Sequence, residues 1–277
     1  MELEFHHIFH PATALPFSQD RAYFEVPPGK RLKPYVKCFW GGELAGENHK
    51  SALRQNRLIV PDGCRDLILT IREDRISGYL TELDLRPCRV SPQAGAEVRN
   101  FGVRFYFWAA GCFGGEGILD KLLPELERAE FAQLPFAKQC AWMEKYLAQK
   151  LRPEGLSGGT LEAAGLLLES RGRVSVRELE RQTFQSRRTL ERRFLREFGV
   201  SPKALAGVIR YQSLWRDVLC KKDFDIQDEV AALGFYDQAH LLHSFSSYHG
   251  MTISQAVQYS KIKNDAFLQD TLCRYTV

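Results

Sequence analysis

The chain has no apolar run of the length that a membrane span requires, and its first residues, MELEFHH, lack a basic segment followed by an apolar core. Both absences count against membrane insertion and export, and they predict a cytoplasmic protein. The seven cysteines (Cys38, Cys64, Cys88, Cys112, Cys140, Cys220, Cys273) include no C-x-x-C pair. Neither a zinc ribbon nor a disulfide framework is therefore indicated, and a dispersed, odd set fits a reducing compartment. The segment HHIFH, with His6, His7 and His10, contains no carboxylate or thiolate, so its histidines read as surface or core residues rather than ligands. No metal and no cofactor is expected. Lysine and arginine are missing altogether from Asp223 to Gln258, which holds 5 acids.

The base-poor stretch has a counterpart just before it. Arg171 to Lys222 carries 14 Lys/Arg against 5 Asp/Glu, so the bland formal charge of +4 sums two very unlike regions. A cationic surface that is local in this way is a footprint for a polyanion, most often nucleic acid. Within it lies VSVRELERQTFQSRRTLERRFLREFGVSPK, from Val174 to Lys203. Ser175 and Ser186 are natural N-caps, and Leu190, Phe194 and Phe198 recur at i, i+4 and i+8 along one stripe. Arg187, Arg188, Arg192, Arg193 and Arg196 project away from that stripe. The spacing predicts a helix-turn-helix whose second helix presents guanidinium groups suited to a major groove.

Residues 1–26 are mixed, with Pro11 and Pro16 interrupting any long element and Phe5, Ile8, Phe9 and Phe17 available for packing. Between Val26 and Trp40 the run YVKCFW predicts a buried strand. A polar loop follows to Gln55. Two apolar runs in RLIVPDGCRDLILTIR, Arg57 to Arg72, flank a Pro61-Asp62-Gly63 turn. Alternation after that turn places Cys64, Asp66, Ile68 and Thr70 on one face and Arg65, Leu67, Leu69 and Ile71 on the other. Further strands are expected at 76–80, 87–90 and 100–109, with Phe101, Val103, Phe105 and Phe107 alternating against Arg104 and Tyr106. Trp40, Asp62, Cys64, Asp66, Arg104, Tyr106 and Trp108 are the residues expected to line a pocket for a small planar or anionic molecule.

From Gly117 the pattern becomes helical, with Pro124 and Pro135 expected as breaks. Arg152 to Gly159 reads as a Gly/Pro-rich linker. Beyond it Thr160 is expected to cap a helix that Gly172 ends. Ser201 and Pro202 open a long helix, and Asp237 caps QAHLLHSFSSYHG, where Leu241 and Phe245 repeat the spacing of Leu190 and Phe194.

Two helix-turn-helix units joined by a long helix, with RRTLERRFLREFGVSPK closing the first and ALGFYDQAHLLHSFSSYHGMT forming the second, resemble the DNA-binding region of AraC/XylS transcription regulators over residues 160–258. Through LKPYVKCFW, VPDGCRDLI and GVRFYFWAAG the first half resembles an uncharacterised domain that precedes this region in some members. The resemblance implies an α+β chain: a β-rich ligand-sensing domain at 1–115, a helical extension and linker at 116–157, an all-α tandem helix-turn-helix at 158–258 and a tail at 259–277. It implies double-stranded DNA as partner, with a small-molecule effector, RNA polymerase and a second copy of the chain as further partners. Carried over on the motifs, base reading falls to Arg188, Glu191 and Arg192 in the first unit and to Gln238, Ala239, Leu242 and His243 in the second. Ser186, Arg187 and Arg196 complete the expected DNA contacts.

The sequence departs from the family at Glu180, where a small residue usually packs between helices, and at Phe184, where the turn usually has glycine. Irregular packing is expected there. In the second unit His243, Ser246 and Ser247 stand where the family has bases, so the two units are expected to contribute unequally. Two other classes remain open on the sequence. One is a thiol-using enzyme or alkyl acceptor, through Cys64 or Cys112, fused to a DNA-binding region; the other is a regulator acting mainly through protein partners.

Overall fold

A computed structural model describes residues 4–15, 24–41, 57–73, 75–90 and 98–260. Most of the expected loop at 41–55, with Pro16 and Phe17 and the tail from residue 261 onward, lies outside the described residues. Among the described residues seven strands form from the β-branched and aromatic runs: β1 (Phe24–Val26), β2 (Val36–Gly41), β3 (Arg57–Ile59), β4 (Cys64–Arg72), β5 (Arg75–Leu80), β6 (Cys88–Val90) and β7 (Val98–Tyr106). Five of them make an antiparallel sheet in the order β1-β2-β7-β4-β5, and β3 pairs with β6. In the register of β4 and β7, Cys64 faces Tyr106, Asp66 faces Arg104 and Leu67 faces Val103. The period-2 pattern therefore sorts the sheet as the alternation predicts. Leu67, Leu69, Ile71, Phe101, Val103 and Phe105 are buried on one side, and Cys64, Asp66 and Arg104 share the other.

Two helices cover the apolar side, α1 (Ile118–Arg128) and α2 (Phe136–Lys150). Pro135 sits at the N-cap of α2, but Pro124 lies inside α1 and does not break it. Ile118, Leu122 and Leu126 are buried at i, i+4 and i+8, and that packing holds the helix through the lost hydrogen bond.

The helical half comprises α3 (Gly158–Glu169), α4 (Val176–Thr183), α5 (Arg187–Phe198), α6 (Pro202–Cys220), α7 (Ile226–Ala232), α8 (Gln238–His249) and α9 (Ile253–Tyr259). Ser175, Ser186, Ser201 and Asp237 each accept a first-turn N–H, as their positions predict. At α3 the cap position is Ser157, three residues ahead of the expected Thr160, whose hydroxyl instead bonds the Ser157 Oγ at 2.6 Å. None of the described helices is long and apolar enough to cross a membrane.

The expected linker is fixed in place. Pro153–Gly155 forms a 3-10 turn, Leu156 is buried, and the Arg152 N–H donates to the Cys112 carbonyl at 2.8 Å. Ser157 donates through both N (3.2 Å) and Oγ (3.1 Å) to the Glu197 carboxylate on α5. A continuous core then runs from the sheet into the first helix-turn-helix, with the Phe107 and Phe198 rings edge to face at 5.2 Å. A second core joins Ala12, Ala14, Leu58 and Val60 to Tyr211, Trp215, Leu241 and Phe245. The first half thus grips both helix-turn-helix units.

His249 lies within that second core, fully buried, stacked on Phe245 at 4.9 Å and bonded through Nδ1 to the Tyr211 hydroxyl at 2.8 Å. Burial lowers its pKa from 6.5 to about 4. The unfolded chain takes up this proton near pH 6.5 and the folded chain only near 4, so stability is full above 6.5 and falls as pH drops towards 4. His10, also held down to about 4 by burial and then by Arg216, acts with the same sign. Urea unfolding at pH 7.5 and pH 5 should show a loss of about 2 kcal/mol from His249 on acidification, with a smaller addition from the less buried His10. The paired change Tyr211→Phe with His249→Phe should remove most of that loss; an undiminished loss would assign the effect elsewhere.

Candidate nucleic-acid interface

Helix α5 is oriented by its apolar stripe. Leu190, Phe194 and Phe198 are fully buried, which turns Arg187, Arg188, Arg192 and Arg196 outward. Ser186 starts the helix, its Oγ accepting the Thr189 N–H at 3.3 Å. Arg187 donates through Nε to Glu191 at 3.0 Å, one helical turn on, and Arg196 pairs with Glu197 at 2.6 Å. Arg193 is engaged inside the unit, donating to Gln185 at 2.7 Å while Gln185 donates to the Gly159 carbonyl at 2.9 Å. Arg188 and Arg192 are left exposed, without an ion pair among the described residues.

The two departures resolve differently from the expected irregular packing. Leu179 and Thr183 remain buried in the contact between α4 and α5, with the Thr183 hydroxyl donating to the Leu179 carbonyl at 2.8 Å. Glu180 swings out of that contact, and its Oε1 accepts the Arg187 backbone N–H at 2.6 Å. Phe184 takes the left-handed conformation at φ 52° and leaves its ring 95% exposed. A bulky residue rarely adopts that backbone, and glycine would do so without strain.

In the second unit, Gln238, Ala239 and His243 are exposed on α8, while Leu242 is half-buried against the second core. Gln238 accepts a bond from Gln227 at 3.0 Å. Three acids of this base-free stretch have internal duties. Asp225 caps α7, Asp237 caps α8 with a 2.7 Å bond from the His240 N–H, and buried Glu229 pairs with Lys221. Tyr236, just before the α8 cap, is 90% exposed.

The sheet brings together most of the residues expected around a small molecule. Asp66 Oδ1 accepts from Trp40 Nε1 at 2.8 Å and from Arg104 Nε at 3.0 Å, and Arg104 reaches Asp66 Oδ2 at 3.2 Å. Glu25 lies 3.5 Å and Asp62 3.8 Å from the same guanidinium. The Trp40 indole lies over Gly102, where a Cβ would come within 2.0 Å of the ring. Cys64 and Tyr106 face one another beside this cluster. Trp108 reaches it only through Tyr106, on whose ring it stacks at 4.5 Å; otherwise it is buried against Phe9 and Phe107 with its Nε1 on the Pro34 carbonyl at 2.9 Å. Burial pushes the Cys64 thiol well above its ordinary range and Cys112 up to about 11, the opposite of what a thiolate nucleophile needs. Sequence reasoning missed an open cleft of about 440 Å³ lined by Arg89, Gly250, Met251, Gln255, Gln258 and Tyr259. It forms only when β6 meets the α8–α9 turn.

The family model described as Helix-turn-helix domain matches residues 179–258, and that described as Domain of unknown function (DUF6597) matches residues 24–118. No curated protein matches the chain. Among solved structures, ToxT from Vibrio cholerae O395 is 13% identical, with 87% of this chain and 97% of that chain covered and a TM-score of 0.39. The same protein bound to (E)-4-(8-methylnaphthalen-1-yl)but-3-enoic acid is 12% identical, with 87% and 98% covered and a TM-score of 0.39. The chain carries an AraC-type helix-turn-helix domain behind an N-terminal domain of unknown function, and it is a DNA-binding transcription regulator.

Proposed function

We propose that the two units engage DNA unequally: α5 supplies most of the affinity, and α8 contributes alignment and shape sensing. The observation that carries this is the pair Arg188 and Arg192, exposed and uncompensated on a helix braced by a fully buried stripe, set against an α8 unit with no Lys or Arg. Guanidinium groups so placed suit guanine edges or phosphates, and each phosphate neutralised adds affinity through counterion release. Arg188, Glu191 and Arg192 are the base readers in this proposal, with Glu191 acting in its pair with Arg187. Ser186, Arg187 and Arg196 hold the backbone, and Gln238, Ala239, Leu242 and His243 face the second groove. On the same proposal the cluster of Trp40, Asp62, Cys64, Asp66, Arg104 and Tyr106 receives a small polar effector. Its ion pairs, partly shielded from water, would exchange partners with such a molecule.

Selection of duplexes from a random pool, followed by salt titration on the winner, tests the inequality. The expected outcome is one strongly constrained block, with a weaker block about one helical turn away and a steep salt dependence. Two blocks of equal constraint would overturn it.

A further inference from the structure

The N-terminal end of a recognition helix lies against the DNA, and the free N–H groups and dipole of a helix N-terminus suit a phosphate. In α5 that end is already filled from within the protein. Ser186 takes the Thr189 N–H, and the Glu180 carboxylate takes the Arg187 N–H at 2.6 Å. Glu180 is half-buried, and no cation lies within ion-pair distance of it among the described residues, because the Arg187 side chain turns to Glu191 instead. The carboxylate is not required for packing, since Leu179 and Thr183 form the buried contact between α4 and α5. A negative charge held by a backbone N–H, with no cation beside it among the described residues, therefore stands at the N-terminal end of a strongly cationic helix.

We propose that Glu180 is a specificity-determining residue that acts by excluding phosphate from the start of α5. This rests on the DNA-binding reading above. A phosphate and this carboxylate compete for one N–H and repel one another. A scrambled duplex, held by phosphate contacts alone, feels that penalty in full, whereas base contacts to Arg188 and Arg192 hold a cognate duplex in a register that keeps its phosphates farther from this carboxylate. Glu180 thus weakens non-specific binding more than specific binding, and it keeps a strongly basic helix from settling on arbitrary sequence.

Glu180→Gln keeps the size and the acceptor oxygen and removes the charge, so it is the decisive variant. Binding is measured on the selected duplex and on a scrambled duplex of equal length, across a salt series. At low salt the variant should bind the scrambled duplex about fivefold more tightly and the selected one about twofold more tightly, with the scrambled salt slope steeper by about one. Glu169→Gln, which removes an exposed charge from the far end of α3, should change neither affinity. Unchanged or weaker scrambled binding by Glu180→Gln, with a melting temperature near that of the parent, overturns the proposal. An equal gain from Glu169→Gln also overturns it, since net charge alone would then account for the effect. If the parent chain shows no salt-dependent binding to either duplex, the DNA-binding reading falls and this inference falls with it; parent binding without the Glu180→Gln gain removes the inference alone.

Discussion

Replacing Arg188 and Arg192 together with alanine is expected to weaken binding to the selected duplex by at least about 30-fold, the largest functional effect of any exposed pair among the described residues. Each good bidentate contact to a base contributes about 1–3 kcal/mol, so losing two corresponds to roughly 2–6 kcal/mol. Folding should be almost untouched. Both side chains are exposed and unpaired, and such surface changes stay within about 0.5 kcal/mol. The matching change at Gln238 and His243 should cost about tenfold, because α8 offers no cation to reinforce whatever those side chains read. Fluorescence anisotropy on labelled duplexes decides the matter, with a scrambled duplex as reference. If the arginines read bases, the loss falls on the selected duplex; if they bind phosphates alone, both duplexes lose equally and the salt slope drops by about two. Comparable losses from the two pairs would remove the asymmetry between the units.

Local signals carried much of this structure into the sequence. The caps at Ser175, Ser186, Ser201 and Asp237, the buried stripe of α5 and the alternation of β4 and β7 each depend on residues within a few positions of one another. The polar cluster was legible for the same reason, since alternation alone puts Asp66 and Arg104 on one kind of face. Failures arose where a long-range contact decided the outcome. Trp108 was expected to line the pocket, yet it is fully buried, stacked on Tyr106 at the margin of the polar cluster and packed with Phe9 and Phe107, contacts that alternation does not specify. Pro124 looked like a break, yet burial of Leu122 and Leu126 carries α1 through it. Glu180 stood out as an anomaly of packing; its bond to a backbone N–H seven residues on depends on the angle between two helices, which spacing does not encode. The Gly/Pro-rich segment at 152–159 suggested freedom, and its tie to Glu197 on α5 removes it.

Gln212 exposes the consequence of that long-range order most directly. Its side chain, buried in the middle of α6, accepts the Ala12 N–H at 2.8 Å and donates to the carbonyls of Ala12 at 3.1 Å and Pro61 at 2.7 Å. One turn along α6, Trp215 donates to the Thr13 carbonyl at 3.0 Å. Helix α6 is the rod between the two helix-turn-helix units, and Pro61 adjoins Asp62, which lies 3.8 Å from the Arg104 guanidinium. A single tight turn therefore touches both the polar face of the sheet and the rod that spaces the recognition helices. Gln212→Leu preserves volume but leaves an N–H and two carbonyls buried without this partner, at about 1–3 kcal/mol for each group that water does not reach. The expected outcome is a loss of about 3 kcal/mol, a melting temperature lower by roughly 5–10 °C, and faster amide exchange across residues 9–14. The constrained block read by α5 should survive in duplex selection, while the distance to the weaker block broadens, because α6 is no longer clamped to the first half. A melting temperature within about 2 °C of the parent would mean that the clasp adds little to stability. Tightly kept block spacing in the variant would mean that α6 is held by its apolar core alone, and the route from the polar face to the DNA would then have to run through Phe107 and Phe198.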